Sequence, residues 1–388
     1  MKTADESSFI VGMDAKRALA NMTGLGNYSR YVINIMSAAY PSTRFRLYSP
    51  VGRTNERIEP LLARDNVDLF VPSLHPACGP TRAFWRTVDM PLQLRKDDVA
   101  VYHGLSNELP LTIKGVCPSV VTIHDLIWRR SPADYSAIDR RLYDFKYGRS
   151  ARIATRVIAI SERTKADLVA DYGIDPAKID VIYQGIDPIF TLPINTAKKQ
   201  EVRTRYELPE HFVLAVGTVQ PRKNQMLAVE GIAQLPEDIK LVIVGAHDNA
   251  YGRRIIDRVR QTGLTDRVLF RSVPFADLPA VYACADVSSY TSRYEGFGLP
   301  VVESLACGTP VVACTGSCLE EAGGLGAVYV HPDDVHGWAN AVEHLCNDTV
   351  WRDKTIRLGR QHIRKFSADA FAKATMATYK KALLEHLL

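Results

Sequence analysis

The chain has 388 residues, of which 46% are hydrophobic, 23% charged and 9% aromatic. At about 150 residues per domain this length predicts two or three domains, and we expect two. The ordinary globular composition excludes a mainly disordered chain. Positions 1–194 carry 25 basic and 21 acidic residues out of totals of 48 and 43, an excess too small to favour nucleic-acid binding. It suits an anionic substrate or an acidic membrane surface.

The start of the chain and its cysteines bear on location and on metal binding. Residues 1–8, MKTADESS, lack the basic and apolar regions of a signal peptide, and no apolar run reaches the roughly 20 residues that cross a bilayer. We therefore expect a cytoplasmic protein, with peripheral contact of its N-terminal domain with the inner face of the cytoplasmic membrane. Seven scattered cysteines indicate reduced core residues. Cys314 and Cys318 stand close together, but no further ligand pair completes a zinc site.

Short runs rich in Val and Ile alternate with longer amphipathic stretches, which is typical of an α/β fold with parallel sheets. A polar break at about 191–208 separates two such series. We predict an N-terminal domain over 1–190, a C-terminal domain over 191–367, and a last helix, within 368–388, that packs back on the first domain. The predicted strands are FIVGMD at 9, FRLYSP at 45, VDLFVP at 67, VAVYHG at 99, SVVTIHD at 119, RVIAIS at 156 and KIDVIY at 178, then FVLAVG at 212, KLVIVG at 240, RVLFRS at 267, DVSSYT at 286, TPVVAC at 309 and AVYVHP at 327.

The most specific motif is SRYEGFGLPVVESLACGTPVV, from Ser292 to Val312, which reads as a glycine-containing turn followed by a helix with Pro300 at its first position. Ligands of open parallel sheets bind beyond the carboxyl ends of the strands, so we expect this turn to face a cleft between the two sheets. Free N–H groups at a helix start bind anions. The amides of Phe297, Gly298 and Leu299 are therefore predicted to hold a diphosphate.

Two carboxylates of this motif, Glu295 in the turn and Glu303 on the helix, suit opposite ends of an elongated ligand. Carboxylate oxygens accept hydrogen bonds from vicinal hydroxyls, so we assign Glu303 to a nucleotide ribose and Glu295 to a transferred sugar. The alternative is a tight turn with two solvated acids. Arg222 and Lys223 follow the strand FVLAVG and are predicted to neutralise the departing diphosphate, although a basic pair on a surface is often only solvated.

Two motifs of the first half complete the predicted site. Gly24 to Tyr28, GLGNY, is interpreted as a loop whose glycines, Gly24 and Gly26, let backbone approach the diphosphate; loop punctuation is the alternative. His124 ends an apolar strand, where it could donate to a hydroxyl or phosphate at the reacting carbon; the alternative is a core histidine bonded to Asp125. The sequence lacks Asp-x-Asp, which argues against a divalent-metal diphosphate site, so no metal or cofactor is expected.

Basic and aromatic residues cluster in two segments of the first half. Residues 140–156 carry six basic and three aromatic residues, and 75–89 add Arg82, Trp85 and Arg86. Together they suggest a surface for the acceptor. A solvated helix face and an ordinary loop are the alternative.

With these motifs in place, the chain resembles the retaining nucleotide-sugar glycosyltransferases of family four, which have the two-domain GT-B fold. The Glu-x7-Glu signature of that family corresponds to Glu295 and Glu303, its lysine to Lys223 and its cleft histidine to His124. The glycine-rich first loop of the family corresponds to Gly24 through Tyr28. Many members have an arginine directly after the strand that FVLAVG matches; here Thr218 stands there, and Arg222 is the candidate substitute. The resemblance also implies a last helix that crosses back to the N-terminal domain.

GMDAKRALANMTGLGNYSRY and VVTIHDLI resemble bacterial members that build O-antigen or other surface polysaccharides, often mannosyltransferases that use GDP-mannose. The resemblance therefore implies a hexose transfer, with retention, to a glycan or lipid-linked glycan. Backbone near Ser272 and Val273 would read the donor base. A nucleotide-sugar 2-epimerase and a non-catalytic sugar-nucleotide-binding protein remain the alternatives, and nucleic acid is not an expected partner.

Overall fold

The computed structural model describes residues 9–52, 54–73 and 79–387. Residues 1–8, and 75–78 at the start of the second basic segment, lie outside these ranges. The chain divides into two compact units. The first unit comprises Met1–Leu126, Ser136–Gly185 and Ala368–Leu388, and the second comprises Ile127–Tyr135 and Ile186–Ser367.

Each unit contains one parallel sheet, and all thirteen predicted strands are confirmed. The first sheet has the order β3-β2-β1-β4-β5-β6-β7 and the second β10-β9-β8-β11-β12-β13. The order of each sheet reverses at one pair of neighbours, β1 and β4 in the first and β8 and β11 in the second. The strands are β1 Ile10–Asp14, β2 Arg44–Tyr48, β3 Val67–Phe70, β4 Val101–Gly104, β5 Ser119–Ile123, β6 Arg156–Ala159, β7 Ile179–Val181, β8 His211–Val216, β9 Ile239–Val244, β10 Val268–Arg271, β11 Val287–Tyr290, β12 Val311–Cys314 and β13 Ala327–Val330.

Helices connect the strands, as parallel pairing requires. In chain order the α-helices are α1 Lys16–Ala20, α2 Gly24–Ala39, α3 Glu59–Leu62, α4 Gly79–Phe84, α5 Met90–Lys96, α6 Ile127–Arg130, α7 Ala137–Ile153, α8 Glu162–Tyr172, α9 Thr196–Arg205, α10 Gln225–Ile232, α11 Ala250–Gln261, α12 Leu278–Cys284, α13 Leu299–Ala306, α14 Leu319–Gly323, α15 Val335–Asn347, α16 Thr349–His362 and α17 Ala368–Leu387. A π-helix spans Trp85–Asp89, and short 3₁₀ turns cover Pro132–Asp134, Pro176–Lys178, Pro188–Thr191, Pro221–Lys223, Phe275–Asp277, Gly324–Gly326 and Ile363–Phe366.

The central strands are buried on both faces, which is why they read as continuous apolar runs in the sequence. In the second unit Trp338 of α15 is fully buried and donates its indole N–H to Ser289 Oγ at 2.9 Å. In the first unit α17 packs on α2, β4, β5 and β6. Tyr379 of α17 is buried, and its hydroxyl lies 2.7 Å from His103 Nδ1 on β4. The last helix therefore belongs to the first unit, as predicted.

Over the described ranges no helix is long and apolar enough to cross a membrane. The six cysteines in these ranges, Cys117, Cys284, Cys307, Cys314, Cys318 and Cys346, are free thiols and mostly buried, which matches the expected reduced core residues. Cys78 lies outside the description.

Candidate functional site

The sequence motifs of the second half meet where β8 and β11 lie side by side. This is the point at which the strand order of the second sheet reverses, the usual ligand position in open α/β sheets. The 3₁₀ turn Pro221–Lys223 follows β8, and residues 291–298 connect β11 to α13. Arg293 N donates to Arg222 O at 2.9 Å, and Thr291 Oγ1 donates to Lys223 O at 3.0 Å. These bonds fix the two connections to each other.

A buried ion cluster lies between the two connections, with Glu295 at its centre. The Glu295 Oε1 atom lies 2.6 Å from Arg222 Nη1 and 3.0 Å from Lys223 Nζ. It also accepts hydrogen bonds at 2.8 Å from Tyr290 OH and from Ser292 Oγ. The three charged side chains are only 9–14% exposed. Buried charges are stable only when they are paired in this way.

Electrostatics keep Glu295 ionised. Burial alone would raise its pKa, but the nearby charges of Lys223 and Arg222, and the hydrogen bonds from Lys223 and Ser292, outweigh burial and lower the pKa to about 2. At neutral pH the cluster therefore holds two cations and one anion. The three hydrogen bonds and the Arg222 ion pair all end on Oε1, so Oε2 is left as an acceptor for a substrate hydroxyl.

The sequence interpretation gave Glu295 to a sugar and the basic pair to a diphosphate, but the structure brings all three side chains together. Arg222 Nη1 also donates to Tyr294 O at 2.5 Å, and Lys223 Nζ donates to Tyr290 OH at 2.7 Å. Much of the Arg222 charge is thus balanced by Glu295. Many family members have an arginine at the position of Thr218, and Arg222, the candidate substitute, lies four residues further along the chain.

The N-terminus of α13 adjoins this cluster along the chain. Gly298 is the N-cap with a φ of 105°, and a Cβ there would lie 2.6 Å from Leu319 Cδ2, so both backbone conformation and packing favour glycine. Within the described residues the amides of Gly298 and Leu299 donate no hydrogen bond, which leaves them for an anion. Phe297 is buried edge-to-face on Phe366 at 5.1 Å and anchors the turn. Pro300 occupies the second helical position, one later than predicted.

Glu303, on the first turns of α13, has the opposite electrostatics to Glu295. Burial, with a smaller contribution from the charge of Asp187, raises its pKa to about 7, although the Tyr282 hydroxyl donates to Oε2 at 3.3 Å. The Glu303 carboxyl group therefore loses its proton near neutral pH, and its ionised form can accept hydrogen bonds from a diol.

Ser272 and Val273 follow β10 at the edge of the second sheet, with Ser272 exposed. They lie away from the strand pair that holds the cluster.

His124 lies in the first unit, directly after β5, and is almost fully buried. Its backbone amide donates to Asn107 Oδ1 at 2.7 Å, and its Nε2 lies 3.0 Å from Leu105 O. Burial lowers the pKa of His124 to about 4, so the ring is neutral. A carbonyl can only accept, so Nε2 carries the proton and Nδ1 is the acceptor. The ring bond goes to Leu105, not to Asp125 as in the core alternative.

The predicted loop Gly24–Tyr28 is wrong, because α2 begins at Gly24. A Cβ on Gly26 would lie 1.7 Å from Asn21 O, so this glycine allows the close turn between α1 and α2. Gly24 is exposed, with open space around it. The ring of Tyr28 meets the His124 ring edge-on at 4.5 Å, which is a contact that the sequence did not indicate. This part of the motif therefore supports His124 by packing.

Part of the predicted acceptor surface is also wrong. Trp85 and Arg86 lie on the π-helix; Trp85 is buried, and Arg86 Nη2 lies 2.6 Å from the buried Asp14 Oδ2. Arg86 Nη1 also pairs with Glu108 at 3.3 Å. The pKa of Arg86 is raised, and the charge of Asp14 is the main cause. Asp14 ends β1, where the first sheet reverses its order. Arg82 stays exposed. Across the described residues no group of three or more His, Cys, Asp or Glu is arranged to hold a metal ion.

Comparisons with known proteins agree with this architecture. The family model described as Glycosyltransferase Family 4 matches residues 33–190, and that described as Glycosyl transferases group 1 matches residues 210–348. A crystal structure of Anabaena HepE in complex with UDP-glucose has a TM-score of 0.72 at 19% identity, covering 96% of this chain and 99% of that chain. At this identity the match concerns the fold alone.

Curated relatives cover part of the chain. A D-inositol 3-phosphate glycosyltransferase of Salinispora tropica is 32% identical over 60% of this chain and 52% of its own length. The chain thus matches about half the length of such relatives. The O-antigen chain mannosyltransferase B of Escherichia coli is 26% identical over 72% of this chain and 74% of its own length. With two matching family domains and the same two-sheet architecture, this chain belongs to the family-four glycosyltransferases of GT-B fold.

Proposed function

We propose that the protein transfers a hexose from a nucleotide diphosphate sugar to a glycan or lipid-linked glycan, with retention of the anomeric configuration. The proposed donor is GDP-mannose and the proposed process is bacterial surface-polysaccharide synthesis. The mannosyltransferase among its relatives supports this sugar and this process. No metal or other cofactor takes part in the proposed reaction.

One observation carries the proposal: the buried Glu295 cluster and the open N-terminus of α13 belong to a single connection after β11. The cluster has one positive charge in excess, and the amides of Gly298 and Leu299 lack described partners. A diphosphate needs both cations and N–H donors, while a sugar hydroxyl needs an acceptor such as Glu295 Oε2. A nucleotide diphosphate sugar offers both groups in one molecule.

In the proposed reaction the bond between the sugar C1 and the β-phosphate oxygen breaks through an oxocarbenium-like state. The acceptor oxygen forms the new C1 bond on the same face, and its proton passes to the departing phosphate. Lys223 and the α13 amides would stabilise the charge that grows on that phosphate, at about 3 kcal/mol per preorganised donor. Since the leaving group takes the proton, the scheme needs no side chain as a base.

In the first unit, His124 is proposed to bind a substrate hydroxyl. The neutral ring with its proton on Nε2 presents Nδ1 as an acceptor, so it would receive a hydrogen bond instead of giving one. This differs from the donor role expected from the sequence.

A thermal-shift panel tests the donor. GDP, UDP, ADP and dTDP, each alone and as a sugar conjugate, are added to the full chain, because a ligand that binds only the folded state raises the melting temperature. We expect the largest shift with GDP-mannose. A larger shift with another nucleotide sugar would identify that compound as the donor instead of GDP-mannose. No shift with any nucleotide would overturn the proposed function. NMR of the donor without acceptor provides the control, since inversion at C2 would indicate a 2-epimerase.

A further inference from the structure

Helix α7 of the first unit has an exposed apolar face opposite to its packed face. Tyr147 and Ala151 face the core, with exposed fractions of 8% and 0%. At 100° per residue, Ile138, Leu142 and Phe145 lie within about 40° of one line on the opposite side of the helix. Their exposed fractions are 79%, 43% and 59%. Three large apolar side chains in a row thus face solvent. Single exposed apolar residues are common on protein surfaces, whereas a contiguous row of them indicates an interaction site.

Basic residues continue this line. Arg149 and Arg152 follow at the same helical spacing, and these five residues, Ile138, Leu142, Phe145, Arg149 and Arg152, are called the α7 outer face. Arg149 Nη2 donates to Leu111 O at 3.0 Å, which brings the 38% exposed Leu111 beside the face. The neighbouring Arg141 is exposed and makes no ion pair within the described residues.

The acidic residues of α7 do not neutralise this face. The helix contains five basic residues and two acidic ones, a surplus of three. Asp139 accepts a hydrogen bond from Ser136 at the start of the helix, and Asp144 accepts one from Tyr172 OH at 3.0 Å. Both carboxylates are thus tied to structural contacts. Of the two arginines of the outer face, Arg149 is half-buried, and Arg152 is exposed with its guanidinium carbon 5.5 Å from the centre of the Tyr172 ring.

Apolar side chains flanked by arginines match the two properties of an anionic bilayer surface, an apolar layer below negatively charged headgroups. A second copy of the same face would bring two positive surfaces together, and a nucleic acid would leave the apolar row in water. We propose that the α7 outer face docks the protein on a bilayer that contains anionic lipids. This inference does not depend on the proposed sugar transfer.

Vesicle flotation with the full chain tests the proposal without donor or acceptor. The probes are phosphatidylcholine vesicles with and without about 30% phosphatidylglycerol, because the anionic headgroups attract basic residues near the surface. We expect at least tenfold stronger partitioning onto the anionic vesicles, weakened by added salt. The variant Ile138→Ser/Leu142→Ser/Phe145→Ser should lose at least tenfold of this partitioning. The variant Arg141→Gln/Arg149→Gln/Arg152→Gln should lose the preference for anionic vesicles.

The matched control is Leu325→Ser/Val350→Ser in the second unit, since both side chains are 80% exposed. This control should bind vesicles as the unmodified protein does. All the substituted side chains are at least partly exposed, so thermal melting should confirm that every variant is folded. Two results would overturn the proposal: no binding of the unmodified protein to anionic vesicles, or equal binding of the apolar triple variant. Light scattering that shows a dimer lost only in that variant would assign the face to a second copy instead.

Discussion

Replacing Glu295 by Gln keeps the shape of the side chain and removes the charge that receives three hydrogen bonds and the Arg222 ion pair. The pKa of Glu295 falls from 4.5 to about 2 in the folded protein. At 1.36 kcal/mol per pKa unit, this difference corresponds to roughly 3 kcal/mol of interaction with the ionised form. We expect the Gln variant to lose stability of that order at pH 7, because Arg222 and Lys223 would then lack their buried counter-charge.

The pH dependence gives this prediction a sign. A carboxyl group with a lowered folded pKa stabilises the protein above its unfolded pKa, and this contribution disappears as the pH falls towards the folded value. The stability difference between the parent protein and the Gln variant should thus be constant from pH 8 to about 6. It should shrink by about 1 kcal/mol at pH 4, given an unfolded pKa of 4.5 and a folded pKa of about 2.

Urea unfolding at several pH values, followed by tryptophan fluorescence, measures this difference. Trp338 is fully buried in the second unit and reports on its core. The control is Glu230→Gln, since Glu230 pairs with Arg258 at 2.6 Å with side chains 32% and 43% exposed. A surface pair of this kind contributes at most about 1 kcal/mol. Equal losses in the two variants, or a Glu295 effect that is independent of pH, would refute the reasoning.

Three further predictions concern substrates. Lys223→Ala should lower turnover with a synthetic acceptor by more than tenfold, about 1.4 kcal/mol, and unchanged turnover would remove Lys223 from the reaction. Because the pKa of Glu303 is about 7, calorimetry should show nucleotide-sugar affinity rising from pH 6 to pH 8, and Glu303→Gln should abolish that rise. An unaltered profile in the variant would exclude Glu303 from the ribose. Because the pKa of His124 is about 4, His124→Ala should lower turnover without moving any limb of the pH–rate profile between pH 5.5 and 8; a moved limb would mean that His124 titrates there.

The fold was largely predictable from the sequence because buried parallel strands leave a plain pattern. Runs such as those of β5 and β12 are apolar on both faces and end in polar or glycine residues. The last helix could be assigned to the first unit through the family resemblance. The residues of α17 alone do not specify whether Tyr379 packs into the core of the first or of the second unit, because its packing depends on contacts with β4, which is distant in sequence.

Local packing at two places could not be predicted. Gly26 reads as a loop residue, yet it is a helical glycine selected by the nearness of the Asn21 carbonyl. Arg86 reads as a surface cation, yet it pairs with the buried Asp14, 72 positions earlier, and only 18% of its side chain is exposed. Both contacts join segments whose proximity follows from the folded sheet.

The candidate site was predicted in composition but not in pairing. Glu295 was assigned to a sugar, and Arg222 and Lys223 were assigned together to a diphosphate. The structure pairs them because β8 and β11 are neighbours, so the connections that follow these strands meet. The strand order of the second sheet would have predicted that these two connections lie together, but hydrophobic runs in a sequence do not specify the order of strands in a sheet.

The central claim is that the second unit binds a nucleotide diphosphate sugar through Lys223 and the N-terminus of α13. Calorimetric titration of the full chain with GDP-mannose, alongside the Lys223→Ala and Gly298→Ala variants, tests it most directly. We predict saturable one-to-one binding that weakens at least tenfold in each variant, since the first loses a cation and the second strains a φ of 105°. Absence of binding by the parent protein with every nucleotide sugar, or an affinity in both variants equal to that of the parent protein, would contradict the claim.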